Sequence, residues 1–201
     1  MAWSYAILEK SQKIEVANSL KVPSWLRPLH GYSTTPGELS LAYLTAGAFT
    51  ALVLISIQDR LAGLSQFQAT ILVVVSLDLA GGAVANLSQG TRTFWRSRTV
   101  NLRLFFLAVH AIHGVGIAFV FPQAAASVAV AYIWMVIAGS VLIVTRNTSV
   151  PLALALVLLG SAAIHLPQGL ESATSLLLTV YLVKLVFCFS GGPNEQGQRA
   201  S

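Results

Sequence analysis

Six stretches of the chain, each roughly 18 to 22 residues long, carry almost no charge, and at 1.5 Å per residue each can cross a hydrocarbon core about 30 Å thick. A backbone in lipid must satisfy its own N–H and C=O groups, which leaves only helices and closed barrels. The runs are continuous, whereas barrel strands alternate apolar and polar residues. Helices are therefore expected. Composition agrees: of 201 residues 55% are hydrophobic and 9% charged, against about a quarter charged in soluble domains, and the mean hydropathy is +0.73. The predicted fold is an all-α polytopic membrane protein with six transmembrane helices and an N-terminal amphipathic arm. Residues 1–38 form the cytoplasmic interfacial arm, 39–190 the membrane domain and 191–201 a flexible cytoplasmic tail.

A net charge of +5 does not point to nucleic acid, because the cations sort by membrane side instead of clustering on one exposed face. With the N-terminus inside, Lys10, Lys13, Lys21, Arg27, Arg92, Arg96, Arg98, Arg103, Arg146 and Arg199 fall in cytoplasmic segments. Arg60 alone lies outside, and Lys184 lies within a span. This imbalance predicts cytoplasmic termini and a multi-pass protein of the plasma or inner membrane. Cys188 is the only cysteine, so no intrachain disulfide or thiolate zinc site can form. Glu9, Lys10 and Lys13 stand where a cleavable signal would have its apolar core.

In the arm, Trp3, Ile7, Ile14, Ala17 and Leu20 recur at near-helical spacing, as in a helix lying on the membrane surface. Pro23 and Pro28 are expected to break any helix that follows. The spans are placed at about 40–57, 69–87, 103–121, 124–144, 150–166 and 170–190. Between the second and third lies an Arg-rich turn containing Phe94 and Trp95, a pattern typical of the headgroup boundary. His165 and Pro167 close the fifth span. The sequons at Asn86 and Asn147 fall in or behind the membrane, so neither is expected to carry sugar. Residues 81–90 echo 160–169 in their Gly, Ala, Leu, Gln and Gly positions, the pattern of an inverted repeat, although the other spans do not align without gaps.

The informative residues are the ionisable ones inside these spans, which are costly in lipid and functional by default. Asp78, Gly82 and Asn86 share a helical stripe, whose small residues allow close helix approach. His110 and His113 share another, with Arg103 two turns earlier, and Lys184 shares a third with Thr174, Tyr181 and Cys188. By helical rise Asp78 lies about 14 Å from the outer boundary and His113 about 15 Å from the inner one, while His110 and Lys184 lie about 10 Å from the inner one. Two level pairs follow, Asp78 with His113 and His110 with Lys184. The Lys184 stem is also long enough to snorkel to the cytoplasmic headgroups.

Four uses of this centre are compatible with the residue types. Asp78, His113 and His110 can relay protons or ions, with Asn86, Tyr181 and Lys184 along the path. Asp78, His110 and His113 can bind a divalent metal as two imidazoles and a carboxylate; no other cofactor is expected. Asp78 can act as a protonated acid, with His113 as its acid/base partner, on a lipid, isoprenoid or quinone-like substrate. Alternatively Asp78 only bonds His113 or Asn86 to fix helix register. There is no Walker loop, dinucleotide fingerprint, nucleophile elbow or His-Glu-x-x-His motif. The leading expectation is a small carrier or permease for a solute or protons. A membrane-embedded enzyme and an assembly partner are the rivals. The expected partners are the lipid bilayer, the small solute, proton or lipid-like substrate, and a second copy or another membrane protein.

Overall fold

A computed structural model describes residues 19–146, 149–167 and 170–191. The surface helix expected over the first twenty residues lies almost wholly outside them, as do Asn147 and the tail beyond Gly191. The described residues are overwhelmingly helical. A two-residue strand β1 (Leu20–Lys21) pairs antiparallel with β2 (Ser33–Thr34), Leu20 opposite Thr34. Between them stand a 3-10 turn, Ser24–Leu26, and a one-turn helix α1 (Arg27–His30). The expectation that the prolines abolish helix here is corrected: Pro28 opens α1 at its first turn, where its missing N–H would have had no partner in any case.

The main helices are α2 (Pro36–Ser56), the short α3 (Gln58–Leu61), α4 (Gln66–Leu87), α5 (Gln89–Arg96), α6 (Val100–Val109), α7 (Ala111–Val120), α8 (Ala125–Thr145), α9 (Val150–Ala163) and α10 (Ser172–Leu182). A π-helical segment, Val183–Ser190, continues α10. Local sequence sets several of these ends. Thr35 Oγ1 accepts from the Glu38 N–H at 3.1 Å while Glu38 accepts from the Thr35 N–H at 2.8 Å, a reciprocal cap that starts the first span four residues earlier than expected. Ser65 and Gln68 cap α4 in the same way.

Five helices are long and apolar enough to cross a membrane: Pro36–Ser56, Gln66–Leu87, Val100–Val120, Pro122–Thr145 and Ser172–Ser190. The fifth expected span is corrected. Its helix has 14 residues, about 21 Å at the helical rise, and His165 and Leu166 close it with i→i+3 turns ahead of Pro167. The Arg-rich connection is also corrected, since it contains α5, whose Thr91, Phe94 and Trp95 face inward.

The last span is the axis of the bundle: 61% of its apolar window is buried, against 22–39% for the other four. The π-helical segment packs on α4, α8 and α9, and α4 packs along α2. The buried face of α2 is Ala42, Ala46, Thr50 and Val53, small groups one turn apart that let backbones approach where lipid supplies no hydrophobic drive. Gly81 belongs to the same contact, because a Cβ there would sit 3.2 Å from that of Ala46.

The two ends of the bundle differ chemically. At one, the N-terminal hairpin clasps α5: Trp95 Nε1 donates to the Pro28 carbonyl at 3.0 Å and Thr91 Oγ1 to that of Leu29 at 3.2 Å. Gly31 (φ 73°) and Gly90 meet there backbone to backbone, and a Cβ on Gly31 would fall 1.9 Å from the Gly90 carbonyl carbon. Lys21, Arg27, Arg92, Arg96, Arg98, Arg103 and Arg146 belong to this end. At the other end Glu171 pairs with Arg60 and accepts from Gln123 at 2.9 Å.

Candidate functional site

α4 passes from one end of the bundle to the other, so Asp78, its thirteenth residue, falls at mid-depth. The Asp78 carboxylate accepts from His113 Nε2 at 2.5 Å, the contact that level depths predict for antiparallel neighbours. The same oxygen also accepts from Lys184 Nζ, which in addition donates to the Asp78 backbone carbonyl at 3.2 Å. Here the expectation is corrected. Lys184 neither pairs with His110 nor reaches the headgroups: its side chain is 4% exposed and turned into the bundle.

Glycine 82 explains the route. A Cβ there would lie 2.6 Å from Lys184 Cε and 2.8 Å from Nζ, so the missing side chain is the groove along which the lysine stem reaches Asp78. The two consecutive glycines thus serve different neighbours, Gly81 the backbone of α2 and Gly82 the lysine, because successive helical residues point about 100° apart. The Asp78–Lys184 pair has no net charge, which is the form in which two charges are tolerable in a low-dielectric interior.

The histidines sit where the third span is interrupted. His110 separates α6 from α7, and its N–H bonds Leu107 while its carbonyl receives the His113 N–H, both i→i+3 contacts at 3.1 Å. Such a tightened mid-helix turn is a recurrent mark of functional or strained positions. The same carbonyl accepts from the Tyr181 hydroxyl at 3.1 Å, and Tyr181 is fully buried. His110 Nδ1 lies 2.6 Å from the Phe106 carbonyl oxygen. A carbonyl can only accept, so Nδ1 carries the proton and the neutral ring keeps its lone pair on Nε2. The two imidazoles stack at 5.0 Å and 12°. Asn86 closes the site below, its amide 3.5 Å from the Lys184 carbonyl, and with 5% exposure it is no glycan acceptor.

Three polar atoms above and beside this centre are buried with no hydrogen-bond partner among the described residues: His113 Nδ1, Ser76 Oγ and Thr174 Oγ1. Buried polar groups are normally paired, and an unpaired one calls for an explanation such as a water or ion. Ser76 escaped the reading of the sequence because a serine in an apolar helix usually bonds back to its own backbone.

A metal was one expected use of Asp78, His110 and His113. Their nearest donor atoms lie within 4.8 Å of one another, and ligands held at about 2.0–2.2 Å from a divalent ion must come closer together than that. The donor set fits such an ion only if Lys184 withdraws, because its ammonium occupies the Asp78 oxygen. Among the described residues the site is therefore built as an ion pair with two stacked imidazoles.

The chain is a membrane-embedded helical protein with an Asp/His/His cluster, completed by a lysine, at the heart of its bundle. No family model, curated protein or solved structure matches it.

Proposed function

We propose that the protein is a small carrier or permease subunit that moves protons, or a solute coupled to them, through a centre made by Asp78, Lys184 and His113. The observation that carries this reading is the single carboxylate oxygen held by both a lysine and a histidine at mid-depth. A proton taken up on the unpartnered Nδ1 of His113 lets the ring pass its Nε2 proton to Asp78, which discharges the pair and releases the ammonium. The centre thus has two charge arrangements that differ by one proton, which is what a relay requires. Ser76 and Thr174, on the Glu171 side of the centre, extend the line of unmet hydrogen-bonding groups. His110, Asn86 and Tyr181 hold the broken helix and the lysine in place. On this reading the basic end, with its excess of arginine, is the one that faces the cytoplasm.

The test is a proton-flux measurement in proteoliposomes carrying an internal pH dye. Wild-type protein should dissipate an imposed gradient faster than protein-free vesicles, and Asp78→Asn and His113→Ala should not. If the wild type holds the gradient as long as empty vesicles, or if both variants match it, the reading fails. A second reading, an enzyme acting on a lipid-like substrate, draws on the 33% of the Asp78 side-chain surface that stays open. Stoichiometric divalent metal in purified protein, lost in His110→Ala, would move the assignment to that class.

A further inference from the structure

At the basic end a cavity of about 240 Å³ opens between α1, the first turns of α2 and the last turn of α4. Leu41, Ala42, Val84 and Ala85 make its apolar wall, and no lysine or arginine lines it. Ala42 and Ala85 leave the room, because both are buried positions that carry only a methyl group. Leu41 is 58% exposed, so the cavity borders the lipid-facing surface of α2. The polar part of the lining is His30, Thr34, Glu38 and Ser88, and most of it is already bonded. Ser88 Oγ accepts from the Thr91 N–H at 3.3 Å and donates to Thr91 Oγ1 at 3.0 Å, while His30 Nε2 lies 3.3 Å from the Tyr43 hydroxyl. Glu38 differs. Thr34 Oγ1, the Thr35 N–H and Thr35 Oγ1 all donate to its Oε2, at 3.2, 2.8 and 3.3 Å, and Oε1 has no partner among the described residues.

Among the described residues Glu38 is the one carboxylate at this end, yet it forms no ion pair with any of the cations there; the ion pairs of the described residues belong to Glu171 and Asp78. An ionised carboxylate only accepts, and it has two oxygens to do so with. A charge-assisted bond from an ammonium is the strongest use of the one left open. We infer that this cavity binds the primary ammonium group of an amphiphile, its N–H groups donated to Glu38 and its first carbons laid along the wall of Ala42, Val84 and Ala85. The volume lies below the roughly 300–1,000 Å³ of sites that enclose a whole ligand, so the cavity takes the head and the carbons next to it while the remainder of the molecule stays outside. The position suits such a molecule, since the first turn of α2 and the last turn of α4 stand where a span meets the headgroups. The site is separate from the Asp78 centre and does not depend on the transport reading.

The experiment uses purified full-length protein in a neutral detergent, titrated by calorimetry with three probes: free ethanolamine, a short-chain phosphatidylethanolamine and a short-chain phosphatidylcholine. Phosphatidylethanolamine should bind, and phosphatidylcholine, whose trimethylammonium has no N–H to donate, should bind several-fold more weakly. Glu38→Gln is the decisive variant. Glutamine serves as well as glutamate at the third position of a reciprocal cap, so α2 should start where it does now and the protein should melt as wild type, while binding weakens by about tenfold or more. Ala85→Leu fills the cavity without touching the carboxylate and should weaken binding as well; Glu171→Gln, at the opposite end, should not. Ethanolamine binding as tightly as its lipid would identify a soluble amine as the occupant, and phosphatidylethanolamine binding alone would identify a lipid headgroup. No binding of either amine to the wild type, equal binding of phosphatidylcholine, or unchanged binding in a folded Glu38→Gln or Ala85→Leu would overturn the inference.

Discussion

The ion pair at the centre makes an asymmetric prediction about stability. Asp78→Asn leaves the Lys184 ammonium in place with its side chain 4% exposed and only amide and carbonyl oxygens to face. Breaking a buried pair from one side costs about 3 to 5 kcal/mol, because the surviving charge stays buried. Lys184→Met is the milder change. The surviving carboxylate keeps its bond to His113 and has 33% of its side-chain surface open, so the loss is about 1 to 3 kcal/mol, the cost of an unmade hydrogen bond at a partly buried group. The double variant Asp78→Asn/Lys184→Met contains no stranded charge and should be more stable than Asp78→Asn alone, with a coupling of about 2 kcal/mol between the sites. For a chain of this length 1 kcal/mol moves the midpoint by about 2–4 °C. Asp78→Asn should therefore melt on the order of 10 °C below wild type in detergent, followed by tryptophan fluorescence at neutral pH. Equal shifts for the two single variants, or simple addition in the double, would refute the claim that burial decides which charge is stranded.

Two further outcomes follow from neighbouring geometry. Gly82→Ala places a methyl group 2.6 Å from Lys184 Cε. Since the lysine tip moves more easily than a helix, the variant should fold, melt close to Lys184→Met, and add nothing when combined with it; an additive double variant would show that Gly82 acts through helix packing instead. At the basic end, burial holds the His30 imidazole below its ordinary value of 6.5, so the folded chain keeps it neutral and the unfolded chain protonates first. Stability should be at its fullest above pH 6.5 and decline as the pH falls below it, and in His30→Gln that part of the slope of melting temperature against pH should disappear.

Length and hydropathy alone determined the helical membrane fold, because a backbone without water has so few solutions. The Asp78–His113 contact was legible as well, since both residues reach mid-depth on helices joined by a short connection. The remainder depended on features with no period to read. The helix break at His110 occurs without a proline or glycine at that position, and the short fifth span looked like a full crossing because residues 164–166 are as apolar as the helix before them.

What the sequence by itself determined is therefore the solvent, the helices and the set of costly side chains in them. Only the tertiary structure decided that Lys184 turns inward to Asp78 instead of outward to the headgroups. Rise along a helix gives the height of a Cα, but a four-carbon stem spans more than a helical turn. Its direction depends on where a neighbour leaves room, and here the room is the missing side chain of Gly82 on a helix about a hundred residues away in the chain.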